Sequence, residues 1–458
     1  MRLLYSPVVS QAPTRRAVVV GVQLRGVDDV AFASSLDELE RLGKTLGLET
    51  IARVTQKRDA LAPAAALGEG KLVDLAAFTG GSGVVPKYTR PGARKDGEAE
   101  GDDAADEKPL PDGAGAEPRA SVVLVDDDLT PSQLRNLERA TSAEVLDRTS
   151  VILAIFQRHA RTREARMQVE IARLAYLAPR LREGGGGADR QRGGIGGKGA
   201  GESSLEMDRR RIRDRIAELR GELEAVRREA GERRRRRAET NTVALVGYTN
   251  AGKSSLMRGL TGSDVLVADR LFATLDTTVR PLHPKARPPI LVSDTVGFIK
   301  KLPHDLVASF RSTLEEAREA SLLLHVVDAS DPALRDHMRV TREVLGEINA
   351  GDAEAIVLLN KADRLDAAAA AALAEELPDA VLLSARRPED VAALRERLVA
   401  FFERDMVDEE LYVEFARQRV VHQIHEACRV LEENHDERGT RLRVRAPRDV
   451  LDRLRSSL

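Results

Sequence analysis

The chain has 458 residues, 42% of them hydrophobic and 32% charged, with a single cysteine. That apolar content is enough for real cores and excludes collagen-like, wholly disordered or disulfide-stapled classes. Basic and acidic residues number 72 and 74, so the net charge of −2 says nothing about partners, and only the distribution of charge can. At roughly 150 residues per domain, about three domains are expected. No apolar run approaches the roughly 20 residues that span a bilayer, and Ser6, Pro7, Gln11 and Arg15-Arg16 interrupt any apolar signal core. A cytoplasmic chain without a transmembrane segment is expected.

In chain order, Ala17 to Val20 reads as a buried strand and Leu36 to Leu46 as a helix. From about 82 to 118 the chain turns rich in Gly, Pro, Ala and acids, with nine acids and one lysine between Asp96 and Glu117. Such a stretch cannot bury enough apolar surface to offset its chain entropy, so a disordered insertion is expected. Val122 to Val125 is another strand, and Thr130-Pro131 starts a helix with threonine as cap and proline in the first turn. Residues 1–149 thus read as an N-terminal α/β domain.

Residues 150–240 read as a helical hairpin. A helical, Arg-rich pattern over Ser150 to Leu181 leads into a glycine-dense loop, Gly184 through Glu202, and a long helix runs from Ser204 to Ala238. Leu205, Ile212, Ile216, Leu219, Leu223 and Val226 recur at coiled-coil steps, with Met167, Ile171, Leu174 and Leu177 as the partner strip. The glycine loop is the tip of this hairpin or a flexible linker. From Leu205 to Ala238 there are thirteen arginines against eight acids. This is an anion-binding stripe for folded RNA or a solvated face with intrahelical ion pairs. Aromatics are 3% with no tryptophan, which disfavours single-strand stacking platforms.

Residues 241–404 alternate strands and helices: Val243 to Val246, Ile290 to Ser293, Leu322 to Val327, Ile356 to Leu359 and Val381 to Leu383 read as buried parallel strands. The overall class is therefore α/β, with a doubly wound, mostly parallel sheet. Residues 405–458 read as a small α+β domain: strand Leu411 to Phe415, helix, strand Arg441 to Val444, helix.

Chemistry concentrates in the third domain. Gly247-Tyr248-Thr249-Asn250-Ala251-Gly252-Lys253-Ser254 follows a strand and opens a helix, the context a phosphate-binding loop requires. Its backbone N–H groups and helix N-terminus attract phosphate. Lys253 reaches the β- and γ-phosphates, and Ser254 ligates Mg²⁺. After the next strand comes Asp294-Thr295-Val296-Gly297, an acid for Mg²⁺ through water and an amide that senses the γ-phosphate. Asn360-Lys361-Ala362-Asp363 ends a further strand. The Asp363 carboxylate can accept from guanine N1–H and the exocyclic amine, donors that adenine lacks. Ser384-Ala385-Arg386 then meets the guanine carbonyl. Three such elements at strand C-terminal edges specify a phosphate-loop GTPase, with Lys253, Gly297 and one threonine of the switch stretch as catalytic candidates and Mg²⁺ bound with the GTP substrate.

The stretch Phe272-Ala273-Thr274-Leu275-Asp276-Thr277-Thr278 should hold the switch threonine, but composition does not choose among Thr274, Thr277 and Thr278. Phe298 stands where many GTPases place a glutamine that orients water. Whether it merely packs in the core or not, the same catalytic gap remains. Histidines such as His304, His325 and His422 show no ligand spacing.

These residues resemble the HflX GTPases. The resemblance is carried by Leu129-Thr130-Pro131-Ser132-Gln133-Leu134-Arg135-Asn136-Leu137-Glu138, Asp147-Arg148-Thr149, Arg161-Thr162-Arg163-Glu164, Gly193-Gly194-Ile195-Gly196, Gly201-Glu202, Leu205 to Arg211, Phe272 to Asp276 and Asp294 to Ile299. It implies a GTPase that binds the large ribosomal subunit through rRNA contacts of the hairpin and glycine loop. It further implies slow intrinsic hydrolysis that the ribosome stimulates, and an output in ribosome splitting or rescue under stress, or in assembly. It makes Thr274 the Mg²⁺ ligand beside Ser254, and Phe272, Ala273, Thr274, Leu275 and Asp276 nucleotide contacts. A monomer is expected. Ala200 stands where the family usually has proline, and the insertion at 82–118 is not a family feature. Some members of the family bind ATP through the N-terminal domain and remodel RNA. Gly68-Glu69-Gly70-Lys71 resembles a glycine turn found there but lacks phosphate-loop spacing and reads as a helix start. The competing classes are thus an ATP-dependent RNA remodeller and a GTP-regulated RNA-binding regulator that does not act on ribosomes.

Overall fold

A computed structural model describes residues 15–85, 119–181, 204–235, 241–263, 271–272, 277–301, 316–456 and 458. The chain divides into two compact units, Met1–Ile155 and Phe156–Leu458.

In the first unit the strands are β1 (Arg15–Leu24), β2 (Leu48–Arg58), β3 (Val122–Val125) and β4 (Glu144–Asp147), all parallel in the order β2-β1-β3-β4. The apolar run of β1 and the whole of β3 are buried, as befits strands covered on both faces. The helices are α1 (Asp29–Thr45), α2 (Glu69–Thr79) and α3 (Pro131–Thr141), and the chain passes into the second unit within α4 (Arg148–His159). α1 begins a full two turns before the apolar pattern does, because Asp28 accepts from the Ala31 amide and caps a still exposed first half. α3 begins where Thr130-Pro131 indicated. The Thr130 hydroxyl accepts from the Gln133 amide at 3.3 Å, and the Gln133 side chain accepts from the Thr130 amide at 2.9 Å, a reciprocal capping box. Gly68 is the residue before α2, and its amide donates to Gln56. β2 went unread because its residues alternate between buried and solvated on a sheet edge. Of the insertion expected at 82–118, residues 86–118 lie outside the described residues.

The side chains at the C-terminal ends of these strands close on one another. Arg148, 1% exposed, pairs with Glu38 and at 2.6 Å with Asp126; Ser35 donates to Asp126 at 2.6 Å, and Thr149 to Asp128 at 2.6 Å.

After the end of α4, the second unit continues with α5 (Arg163–Leu177) and α6 (Ser204–Arg235). The single helical pattern read over Ser150 to Leu181 is in fact broken at Ala160 to Thr162, where the Thr162 hydroxyl caps α5 by accepting from the Ala165 amide. Met167 and Ile171 of α5 pack against Leu219 and Leu223 of α6, flanked by Leu174, Ile216 and Val226. Ion pairs Arg163–Glu222 and Glu170–Arg215 fix the two helices antiparallel. The glycine loop from Gly184 to Glu202 and residues 236–240 lie outside the described residues.

The next sheet comprises β5 (Asn241–Gly247), β6 (Thr278–Pro281), β7 (Ile290–Asp294), β8 (Leu322–Asp328), β9 (Ala355–Asn360) and β10 (Val381–Leu382), in the order β10-β9-β8-β5-β7-β6. All are parallel except β6, which runs antiparallel to β7. Helices α7 (Lys253–Thr261), α8 (Leu334–Glu347), α9 (Ala367–Glu376) and α10 (Pro388–Glu403) accompany it. Leu256, Leu260, Leu394 and Leu398 fill one side, and Val344, Leu345 and Phe298 the other. The strand order reverses at β5, which lies between β7 and β8. The loops leaving β5 and β7 therefore meet at a topological switch point, where open parallel sheets bind ligands.

The tail is a three-stranded antiparallel sheet, β11 (Val407–Glu414), β12 (Arg429–His435) and β13 (Gly439–Ala446), ordered β11-β13-β12, with α11 (Gln418–Ala427) and α12 (Arg448–Arg455). The strand–helix–strand–helix reading missed β12. Its Glu432, Glu433, Asn434 and His435 are solvated on an edge and leave no apolar signature. Among the described residues no helix is long and apolar enough to cross a membrane.

Candidate nucleotide site

The loop after β5 is shaped by three backbone positions. Gly247 has φ +144°, and a Cβ there would run into the Val326 carbonyl oxygen; Gly252 has φ +97°, and a Cβ would run into the Asn360 amide. Asn250 takes φ 61°, the left-handed region that asparagine tolerates better than most residues. Lys253, the first residue of α7, folds its ammonium back over the loop, donating to the carbonyls of Gly247 at 3.0 Å and Tyr248 at 2.8 Å. Burial pulls its pKa down to about 8, with Asp294 opposing. Among the described residues its hydrogen bonds go to neutral carbonyls, and a buried ammonium so held favours a nearby anion.

Ser254 donates to the Asp294 carboxylate at 2.8 Å. A hydroxyl and a fully buried carboxylate side by side are hard oxygen donors of the kind Mg²⁺ takes. Among the described residues there is no group of three or more His, Cys, Asp or Glu that could hold a metal. One hydroxyl and one carboxylate fit Mg²⁺, which takes several of its remaining ligands from phosphate and water. Thr295 turns its hydroxyl onto the Leu245 carbonyl at 2.7 Å and Val296 is buried, so these two residues anchor the strip.

Gly297 lies against the loop: a Cβ there would sit 2.8 Å from Thr249 Cα and Cγ2 and 2.9 Å from the Lys253 ammonium. The strip is tied down on either side of Phe298, whose amide donates to the Gly247 carbonyl at 3.1 Å and whose carbonyl accepts from the Thr249 amide at 2.8 Å. The Phe298 ring itself, 2% exposed, packs with Ala244, Val246, Leu323 and Val344.

On the base side, Asn360 bridges two loops. Its amide donates to the Ala251 carbonyl at 2.8 Å and its oxygen accepts from the Ala385 amide at 2.9 Å. Lys361, at φ 65°, pairs with Asp328 at 2.6 Å, and Ala362 opens the turn that presents Asp363. Asp363 accepts from the Ser384 hydroxyl at 2.6 Å, and that hydrogen bond, with Arg386 and Arg364 nearby, holds its carboxyl below the usual range. It is therefore an ionised acceptor at neutral pH. The Ser384 amide donates to Asp390 at 2.7 Å and the Arg386 amide to the Ser384 hydroxyl at 3.2 Å.

The structure thus brings together the residues expected from 247 to 254, 294 to 297, 360 to 363 and 384 to 386. Ala273, Thr274, Leu275 and Asp276 lie outside the described residues. Phe272, expected near nucleotide, is buried edge-on against Phe156 with ring centroids 4.6 Å apart. Residues that motif reading missed are Asp328 and Asp390, which hold Lys361 and Ser384, and His337, whose ring stacks on Tyr248 at 3.8 Å. The Tyr248 hydroxyl also accepts from the Lys300 amide at 2.7 Å. Only the acid at the end of β8 carried a positional signal.

Three family models match in succession: "GTP-binding GTPase N-terminal" over residues 33–84 and 113–157, "GTP-binding GTPase Middle Region" over 159–237, and "50S ribosome-binding GTPase" over 242–361. The GTPase HflX of Gluconacetobacter diazotrophicus is 58% identical over 454 residues, covering 98% of this chain and 99% of that one. That of Caldanaerobacter subterraneus is 36% identical over 447 residues, covering 96% and 93%. That of Escherichia coli K12 is 42% identical over 333 residues, covering 72% and 70%. With relatives 58% and 36% identical that match over more than nine-tenths of both chains, this chain belongs to the HflX family of GTPases.

Proposed function

We propose that this GTPase acts on the large ribosomal subunit, splitting or rescuing ribosomes under stress or acting in their assembly, as a cytoplasmic monomer. GTP would bind with Mg²⁺, which Ser254 and Thr274 would hold and which would neutralise charge on the phosphates. Lys253, Thr274 and Gly297 carry the chemistry, and Asp363 reads guanine. The terminal phosphate draws in the strips around Thr274 and after Asp294, and its loss releases them.

The observation that carries this reading is Phe298. Its side chain carries no hydrogen-bonding atom and its amide and carbonyl are bonded to Gly247 and Thr249, so the residue after Gly297 offers no hydrogen bond to the attacking water. Hydrolysis is then slow in isolation and awaits a partner. The description of the family model over 242–361 supplies the partner's class. The exposed Arg209, Arg210, Arg211 and Arg213 near the start of α6 are suited to rRNA phosphates.

Co-sedimentation with purified large subunits, in a GTP analogue and in GDP, tests the reading. Retention with the analogue well above GDP, and GTP turnover raised by the subunits, is expected. If both nucleotide states pellet no better than a Lys253→Ala variant, the ribosome reading fails.

A further inference from the structure

Tyr248, the second residue of the phosphate loop, is 5% exposed and is held from three sides. Its carbonyl accepts from the Lys253 ammonium at 2.8 Å, its ring stacks on His337 of α8 at 3.8 Å, and its hydroxyl accepts from the Lys300 amide at 2.7 Å. Lys300 is held a second time, since its ammonium pairs with Asp336 of α8 at 3.3 Å. The residue three places after Gly297 is thus fixed by its main chain to the loop and by its side chain to α8. The ties at Phe298, whose amide donates to Gly247 and whose carbonyl accepts from Thr249, run from main chain to main chain. Any residue but proline could make those. The tie at Lys300 needs the phenol oxygen, and a phenylalanine in its place would keep the ring stack and lose only that bond.

We propose that Tyr248 is a positioning residue for triphosphate recognition, its hydroxyl holding the strip after Asp294 against the loop before nucleotide arrives. This role rests on the reading of the Gly297 amide as the group that senses the γ-phosphate. A strip tied at both Phe298 and Lys300 enters the complex already ordered, whereas one loose at Lys300 is competent only part of the time. Apparent affinity for the triphosphate then falls by the competent fraction. GDP has no terminal phosphate for Gly297 to meet, so its affinity does not depend on the clamp. Once GTP is bound the strip is in place either way, and hydrolysis proceeds as before. The tyrosine hydroxyl therefore sets the preference for GTP over GDP and not the rate at saturation. Through His337 and Asp336, α8 serves as the rigid backing of the strip.

The test is titration of the full chain with Mg²⁺ against a non-hydrolysable GTP analogue and against GDP, with single-turnover GTP hydrolysis, for wild type and Tyr248→Phe. The variant should bind the analogue ~3- to 10-fold more weakly, the scale of one neutral hydrogen bond. Its GDP affinity and its rate at saturating GTP should stay within ~2-fold of wild type. Wild-type affinity for both nucleotides overturns the proposal. A parallel loss of both assigns the hydroxyl to the stability of the loop itself and also overturns it, as does a fall in saturating rate with analogue affinity kept. Gly297→Ala tests the reading beneath the proposal, because its Cβ would lie 2.8 Å from Thr249 Cα. Analogue affinity at the wild-type level in that variant removes the sensor, whatever the tyrosine does.

Discussion

Two sheets in this chain, one parallel and one mostly parallel, both carry charged groups near the C-terminal ends of their strands, and they use them in opposite ways. In the first unit Arg148 is buried between Glu38 and Asp126, Ser35 donates to Asp126, and Asp147 accepts from the Ser150 amide at 2.9 Å. The side chains satisfy one another. In the second sheet Lys253 rests on neutral carbonyls, Asp363 presents an ionised carboxylate, and the Thr249 hydroxyl lacks a partner among the described residues. A closed ion cluster stabilises a fold, whereas an incompletely compensated one awaits a ligand. Position at a sheet edge does not separate the two, but hydrogen-bond accounting does.

The largest expected effect breaks the open cluster at the base. Asp363→Asn removes the acceptor for two guanine donors and should weaken GTP binding by ~1,000-fold or more, the scale at which a site built for hydrogen bonds rejects a mismatched partner. It should also favour xanthosine triphosphate, whose 2-carbonyl can accept from the new amide. Titration with both nucleotides checks this.

Breaking the closed cluster should cost stability and leave binding alone. Arg148→Ala strands Glu38 and Asp126 in the interior, so a loss of about 3–5 kcal/mol is expected. Urea unfolding followed by a probe in the first unit measures it, and GTP affinity should stay at the wild-type level.

His325 sharpens the contrast, being a buried titratable side chain that belongs to neither pattern. Burial, then Arg342 and Lys253, push its pKa down to about 4, and its Nε2 has no partner among the described residues. Between pH 6.5 and 4 the unfolded chain takes up a proton that the folded chain refuses, so stability falls with pH across that window, by roughly 3 kcal/mol at its lower end. His325→Leu should flatten this limb in melting temperatures recorded from pH 7 to 4.5.

The smallest effect concerns Lys253, whose pKa is pulled down to about 8. Triphosphate binding favours the charged form, so above pH 8 the complex must take up a proton that the free protein has lost. Affinity should be flat below pH 8 and fall ~10-fold between pH 7 and 9. Lys253→Arg, which stays charged, should lose that slope.

Much of the nucleotide site was legible in sequence because its functional groups sit in contiguous runs, each at the end of an apolar strand. The loop 247–254 needs its glycines where the backbone takes positive φ or passes close to Val326 and Asn360, and that demand is visible as a motif. What escaped was held by distant partners: Asp328 lies 33 residues from Lys361, and His337 reaches the loop residue Tyr248 from α8. Solvated edge strands such as β2 and β12 also escaped, since half-exposed side chains carry no apolar signature. For Phe298, both readings were compatible with the sequence, and only the packing around the ring places it in the core.

The most direct test of the account is a calorimetric titration of the full chain with Mg²⁺ against GTP and ATP in parallel. The open cluster at Asp363 and Lys253 predicts saturable GTP binding at a single site and ATP binding weaker by ~1,000-fold or more. Equal affinity for the two nucleotides, or GTP binding that survives both Asp363→Asn and Lys253→Ala, would contradict it.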